Sequence, residues 1–497
     1  MIIKQIVRFF LPTTQRLVSR WVVSVLLIIG SSFPVCLAQP TDKKITEQAA
    51  ANATAGAAIN PGDSLTNARN GIETDYLRRA NETIEKIRKG DARLQFTDAS
   101  GKPLRRLSVT VNQVSQDFLF GNIVFELGGF APDKPQDMTL FKERFKALFN
   151  FAVLPFYWGR YERKPGMADW NRNQAAIDWC RQNDITLKGH PLGWTSPSGT
   201  PKWLLRMPPT LAQDLYKARI VNNVVGYKGQ IDIWDVVNEP VNTVPWEMAM
   251  RDTANTNDFR YNVKNVPVDT IAPWVERSFR WAHEANPAGN YVLNEYFTLA
   301  IPNVRERFYQ LLKTLTARNT PISGIGIQAH EPREMWFSPV EMYKTFDLYQ
   351  EFGLPIHITE LIPQSSGKAI TGWRTGTWTE AAQAEFARQF YTLTYGHPAI
   401  ASINWWGLSD RNIWLKNGGL LDENYNPKPV YTALMQLIKT DWMTKNVSLT
   451  TDKNGAVSFR GFYGNYEIVA TLPDGSRQTK RVHLREKADN QWTFTGL

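Results

Sequence analysis

Ile231-Asp232-Ile233-Trp234-Asp235-Val236-Val237-Asn238-Glu239-Pro240 is an apolar run of strand length that passes, with no turn residue between, into an amide, a carboxylate and a proline. Such a run reads as a strand buried on both faces, as in a parallel sheet. Pro240 cannot donate to a ladder and marks the strand's end. Asn238 and Glu239 therefore stand at a C-terminal strand end, where barrel enzymes keep their chemistry. Leu354-Pro355-Ile356-His357-Ile358-Thr359-Glu360-Leu361 has the same form, an apolar strand finishing on a glutamate.

Working outward, strand-like runs alternate with helical patterns from about Phe118 to Gln436. The strands are expected at Phe118–Gly121, Phe149–Leu154, Ile185–His190, Ile231–Asn238, Tyr291–Asn294, Gly324–Gln328, Ile356–Glu360 and Ser402–Trp406. Helices are expected between them, among others at Asn173–Asn183, Pro273–Ala285 and Ala381–Thr394. Eight such units predict an α/β protein built as a (β/α)8 TIM barrel over residues 118–438. An open doubly wound sheet is the alternative, but it would bring a glycine-rich phosphate loop after its first strand, and none is present.

The flanks read differently. Residues 1–38 carry a basic stretch, then Trp21–Ile29, then Cys36-Leu37-Ala38 before Gln39, the pattern of an export signal. The protein is thus expected outside the cytoplasm, extracellular or periplasmic. Residues 39–71 are small and polar, as in a flexible linker. Residues 72–117 are expected to form an amphipathic helix, with Ile72, Tyr76, Leu77, Ile84 and Ile87 on one face, followed by a small β element. Residues 439–497 alternate as a small antiparallel β module, with a strand, turn, strand reading around Asn454-Gly455.

Composition excludes several classes. The formal charge of +10 includes Lys4, Arg8, Arg16 and Arg20 of the leader, and without them +6 remains on a long chain. No Lys/Arg block interleaved with aromatics occurs, so nucleic acid is not an expected partner. Of the two cysteines, Cys36 lies in the leader and Cys180 reads as a buried helix thiol, which leaves no internal disulfide. The 18 tryptophans suit a large core together with a sugar-binding cleft, since flat apolar rings match pyranose faces. No cofactor motif is present and no H-E-x-x-H spacing supports a metal.

Two glutamates, each closing a buried strand, suit hydrolysis of a glycosidic bond. That reaction needs one protonated carboxyl at the leaving oxygen and one carboxylate on the far side of the anomeric carbon. Strands four and seven face each other across a barrel mouth, and such settings push the two pKa values apart.

Trp234-Asp235-Val236-Val237-Asn238-Glu239-Pro240 and Ile358-Thr359-Glu360-Leu361 resemble the two catalytic signatures of glycoside hydrolase family 10, the retaining endo-β-1,4-xylanases. Further matches follow in order. Lys188-Gly189-His190-Pro191-Leu192-Gly193-Trp194 resembles the third-strand motif and Gly324-Ile325-Gly326-Ile327-Gln328-Ala329-His330 the sixth. Trp406-Gly407-Leu408-Ser409-Asp410 with Trp414 resembles the eighth. The flanks, including Phe459–Tyr466, look like the plant-type branch with its extra β segments. The resemblance implies Glu239 as general acid/base and Glu360 as nucleophile. It implies that Asn238 hydrogen-bonds the 2-hydroxyl of the reacting sugar, and that His330 orients Glu360 and keeps it ionised. His190 and Gln328 would bind the same sugar or its neighbours. Trp406 and Trp414 would form the wall and floor of that subsite, with Trp194 in support. Asn294-Glu295-Tyr296 partly matches the family's Asn-Asp-Tyr cluster and brings in Tyr296. Two departures stand out. Pro155, Phe156 and Gly159 replace the polar residues many members carry after strand two, which implies an apolar, aromatic neighbouring subsite, and Thr195 stands where many have a second histidine.

The function expected is retaining hydrolysis of β-1,4-xylan or a related β-linked plant polysaccharide by a monomer, without cofactor. Three alternatives have their own discriminators. The same chemistry on another β-glycan or a short oligosaccharide would trace to the altered second-strand loop. A carbohydrate-binding barrel without turnover would not need both glutamates with Asn238 and His330. A metal hydrolase would need a ligand spacing that is not present.

Overall fold

Each of the eight expected apolar runs forms a strand, and together they close on themselves. In the computed structural model, which describes residues 63–127, 134–243, 245–246, 266–411 and 413–496, the strands are Leu119–Ile123, Phe151–Pro155, Thr186–His190, Ile233–Asn238, Asn290–Glu295, Gly324–Ile327, Ile356–Leu361 and Ile400–Trp405. They pair in sequence order, all parallel, and the eighth pairs back onto the first to close the barrel. The export signal of residues 1–38 and the linker up to residue 62 lie outside the described residues.

Burial on both faces explains why these strands are continuous apolar runs: Phe151–Pro155 is buried at every position. Helices from the connecting segments cover the outside, as expected for Gln174–Gln182 and Glu380–Tyr395. The helix before strand five starts a turn earlier than its proline suggests, at Val268, because Ile271 and Ala272 of that extra turn are buried against the barrel. Cys180 is fully buried in its helix, and burial pushes its thiol up to about 12. None of the helices among the described residues is long and apolar enough to cross a membrane.

The flanks depart from the sequence reading in three ways. The N-terminal helix runs Asp63–Ile87, so the linker assignment fails from residue 63 onward. Its buried stripe passes through Glu73, Ala80 and Ile84, and Ile72, one position round the helix, is 40% exposed. Glu73 can lie in that stripe because Arg374 pairs with it and Gln389 donates to it at 2.9 Å.

Second, the N- and C-terminal β segments are one unit rather than two. Lys89–Phe96 sits between Ala456–Phe462 and Gln491–Phe494, while Ser108–Gln113 sits between Val447–Thr450 and Gly464–Thr471, with Arg477–Leu484 beyond. The two sheets share a core of Leu94, Phe96, Val109, Val111, Phe459, Tyr466 and Ile468. The Lys89–Phe96/Gln491–Phe494 pair is parallel, so the module is mixed. Third, the Asn454-Gly455 turn is present, with Gly455 at φ +73°, but it carries the chain from one sheet to the other instead of closing a hairpin.

Arg88, between the N-terminal helix and the sandwich, fastens both to the barrel. Its guanidinium donates to the carbonyls of Tyr395, His397 and Ile400, each at 2.9 Å, and lies over the Phe118 and Tyr395 rings. Replacing it strands three carbonyls in a half-buried site. Arg88→Met is expected to lower unfolding free energy by about 3 kcal/mol, measured by urea titration.

Candidate active site

The ends of strands three to eight supply the site, with its two carboxyls at strands four and seven. Glu239 follows the last residue of strand four, and its backbone is left-handed at φ +59°, a conformation that costs a non-glycine residue about 1 kcal/mol. The turn is held on both sides. The Glu239 N–H donates to the Asn294 carbonyl on strand five at 2.8 Å, and its own carbonyl accepts the Thr243 N–H at 3.0 Å and hydroxyl at 2.8 Å. This reversal turns the carboxyl inward rather than along the strand.

The carboxyl is 6% exposed and densely bonded. Trp194 Nε1 donates to Oε2 at 2.7 Å, while Gln328 Nε2 and Asn238 Nδ2 donate to Oε1 at 3.1 and 3.2 Å. Burial is the largest influence and, with the charge of Glu360 added, pushes Glu239 up to about 6, against the lowering effect of the Gln328 and Trp194 hydrogen bonds. A carboxyl raised in this way keeps its proton to a higher pH than an ordinary glutamate, the direction a general acid requires.

Glu360, on strand seven, is 5% exposed. Asn294 Nδ2 donates to its Oε1 at 2.9 Å, His330 Nε2 lies 3.4 Å from Oε2 and His190 Nε2 3.9 Å from Oε1. Burial alone would lower His330, but its hydrogen bond to Glu360 and that carboxylate's charge outweigh it, so the ring's proton affinity is raised. The two carboxyls thus sit in opposite company: Glu239 among indole and amide donors, Glu360 beside an imidazole that favours its cationic form.

Asn294 joins them. Its Nδ2 reaches both Asn238 Oδ1 (2.8 Å) and Glu360 Oε1 (2.9 Å), and Thr359 Oγ1 donates to its Oδ1 at 2.7 Å. The sequence reading left Asn294 without a role, since nothing in a strand pattern reveals an amide that bridges two neighbours. Gly326 makes room for it: a Cβ there would collide with the Asn294 side chain.

The other expected residues are here too, some in different roles. Gln328 spends its Nε2 on Glu239 and Asn238 and so orients the pair. His190 Nδ1 lies 2.8 Å from Asp235 Oδ2, which also pairs with Lys188 at 2.8 Å, all three buried. Burial raises Asp235, but Lys188 and His190 overcome it and leave it lowered, hence ionised. Asp235 and Lys188 were read only as parts of motifs. Trp406 packs edge-on against His190 at 5.1 Å, and Trp414 against His330 at 5.3 Å. Trp194 does more than support, since its indole bonds Glu239. Tyr296 is half-buried at the end of strand five, tilted against Phe297.

The loop after strand two requires one correction. Phe156 is not a cleft residue; it is fully buried against Trp234 (4.9 Å) and Tyr161 (5.2 Å). Alternation turns its neighbour the other way. Half-buried Tyr157 lies beside His190 and Trp194, and Phe125 bridges Tyr157 and Trp406. Aromatic rings do flank the site, but they are Tyr157 and Phe125. Buried Arg219, also unassigned from sequence, donates to the carbonyls of Leu192 (2.8 Å), Pro191 (3.1 Å) and Phe156, and ties the second and third loops together.

Comparison with known proteins gives a consistent picture. The family model described as glycosyl hydrolase family 10 matches residues 116–437. Endo-1,4-beta-xylanase B of Thermotoga neapolitana is 28% identical over 68% of this chain and 92% of its own length. The anti-sigma-I factor RsgI6 of Acetivibrio thermocellus is 23% identical over 86% of this chain, which spans only 50% of that relative. The crystal structure of native xylanase 10B from Thermotoga maritima superposes with a TM-score of 0.53 at 23% identity, covering 65% of this chain and 96% of that one, and supports the barrel fold.

The raised Glu239 value has a consequence for stability. A carboxyl whose folded value exceeds its unfolded one contributes stability below pH 4.5 that is lost as pH rises through about 6. Between pH 4.5 and 7, wild type should lose about 2 kcal/mol that Glu239→Gln does not lose, measured as the difference in pH slope of urea unfolding.

Proposed function

The chain belongs to glycosyl hydrolase family 10, and from that membership and the site's geometry we propose that it cleaves β-1,4-xylan or a closely related β-linked polysaccharide by double displacement. One observation carries the reading. Two carboxyls at the ends of strands four and seven are linked through Asn238 and Asn294, one pushed up to about 6 by burial and the other set beside His330. That is the division into proton donor and nucleophile that retaining hydrolysis needs.

In the first step Glu360 attacks the anomeric carbon while Glu239 gives its proton to the departing oxygen. In the second, Glu239, now ionised, takes a proton from water, which displaces Glu360 from the sugar. The amide of Asn238, with Oδ1 engaged by Asn294 and Gln328, presents its nitrogen in a fixed orientation to a sugar hydroxyl. Trp406, Trp414, Tyr157 and Phe125 supply apolar faces for pyranose rings. Export belongs to the same proposal and rests on the basic and apolar leader of residues 1–38.

A second reading, the same chemistry on a different β-glycan or a short oligosaccharide, is favoured by the aromatic Tyr157–Phe125 flank. Hydrolysis of xylan beside β-glucan and mannan separates the two, with product anomers followed by NMR. Retained β-configured xylo-oligosaccharides are expected. Glu239→Ala should lower kcat on xylan by about 10²–10⁴-fold, and Glu360→Ala should abolish turnover. Activity confined to another glycan and lost in both variants would move the substrate; binding without turnover by wild type would end the enzymatic reading.

A further inference from the structure

Glu295 is a third carboxyl at this site, and the mechanism does not use it. It ends strand five and is completely buried. Burial, and then the charge of Glu239, push it up to about 8. What fixes it in place is what it binds. Its Oε2 accepts the Val241 N–H at 2.9 Å, and its Oε1 accepts Asn242 Nδ2–H at 2.8 Å and the Tyr296 N–H at 2.9 Å. Val241 and Asn242 are the second and third residues after the acid, so Glu295 grips the segment into which left-handed Glu239 turns. The residue before it, Asn294, holds Glu239 from the other side through its carbonyl and reaches Glu360 through its side chain.

We propose that Glu295 is a positioning residue for the proton donor, fixing the Pro240–Asn242 segment so that the Glu239 carboxyl meets the leaving oxygen. The proposal rests on the family 10 reading of Glu239. Glu295 touches no reacting atom in this account; its three acceptor contacts are all spent on the protein. With the grip released, the strained backbone at Glu239 can relax, and a displacement near 1 Å at a catalytic group costs about 10²-fold. The loss should fall on proton donation alone, because Glu360 keeps its bonds to Asn294 and His330.

Leaving-group dependence separates this from a general structural role. The first displacement on a xylo-oligosaccharide needs a proton from Glu239, whereas dinitrophenolate departs without one. The experiment measures kcat/KM for xylotetraose and for dinitrophenyl β-xylobioside on wild type, Glu295→Gln and Asn242→Ala. The ratio of the two substrates on one preparation cancels any difference in folded fraction, and Asn242→Ala, which removes only one donor, stands in should Glu295→Gln fold poorly. The expected result is a fall of about tenfold or more on the oligosaccharide, with the activated glycoside within about threefold of wild type. A ratio unchanged from wild type in both variants would overturn the proposal. Failure of wild type on both substrates would instead overturn the functional reading on which it rests.

Discussion

The amide of Asn294 is the contact on which the catalytic arrangement depends. It lies between strands four and seven, donates to Asn238 on one side and to Glu360 on the other, and is itself oriented by Thr359. An isolated pair of buried glutamates would either repel or share a proton. Here the intervening amides give each carboxyl its own donors, so the two stand in different surroundings and can take different parts in one reaction. The requirement reaches the barrel's scaffold, since strand six must carry glycine at position 326 for the amide to fit.

Backbone strain is also present at the mouth. Glu239, Phe297 and Ala329, which follow strands four, five and six, all have φ near +60° without being glycine. Such conformations persist only where their surroundings over-determine them, and the bonds from Asn294 and Thr243 to Glu239 do so. The electrostatics are of the same kind: Glu239 and Glu295 are both held above their ordinary range by burial. The rest of the barrel must supply the compensating stability. It does so through its continuous apolar core and through ties such as Arg219 across the second and third loops and Arg88 at the strand-eight entrance.

How far the sequence revealed this depended on the range of the interaction concerned. The eight strands were legible because burial on both faces makes each a local apolar run, and Glu239 and Glu360 were legible because a carboxyl closing such a run is unusual. The resemblance to family 10 brought in His190, Gln328, His330, Trp406 and Trp414, all of which gather at the mouth. Roles set by orientation were not legible. Asn294 and Asp235 look like ordinary strand residues until their neighbours across the sheet are known, and Phe156 and Tyr157 exchange inner and outer places by a single step of alternation. The terminal sandwich was hidden for another reason. Its pairs, such as Leu94 with Val457, join residues from opposite ends of the chain, and the Asn454-Gly455 turn signals a reversal without saying which sheet receives it. In the N-terminal helix, Ile72 looked apolar enough to be buried, but Arg374 made Glu73 the better occupant of the stripe.

The division of labour between Glu239 and Glu360 is the central claim, and trapping the covalent intermediate tests it most directly. A dinitrophenyl 2-deoxy-2-fluoro-β-xylobioside leaves readily but slows the second displacement, so the sugar accumulates on whichever side chain attacks. Peptide mass spectrometry of the inactivated protein should show a single adduct, on Glu360. An adduct on Glu239 or Glu295, or hydrolysis of the fluorosugar without any covalent species, would contradict the assignment.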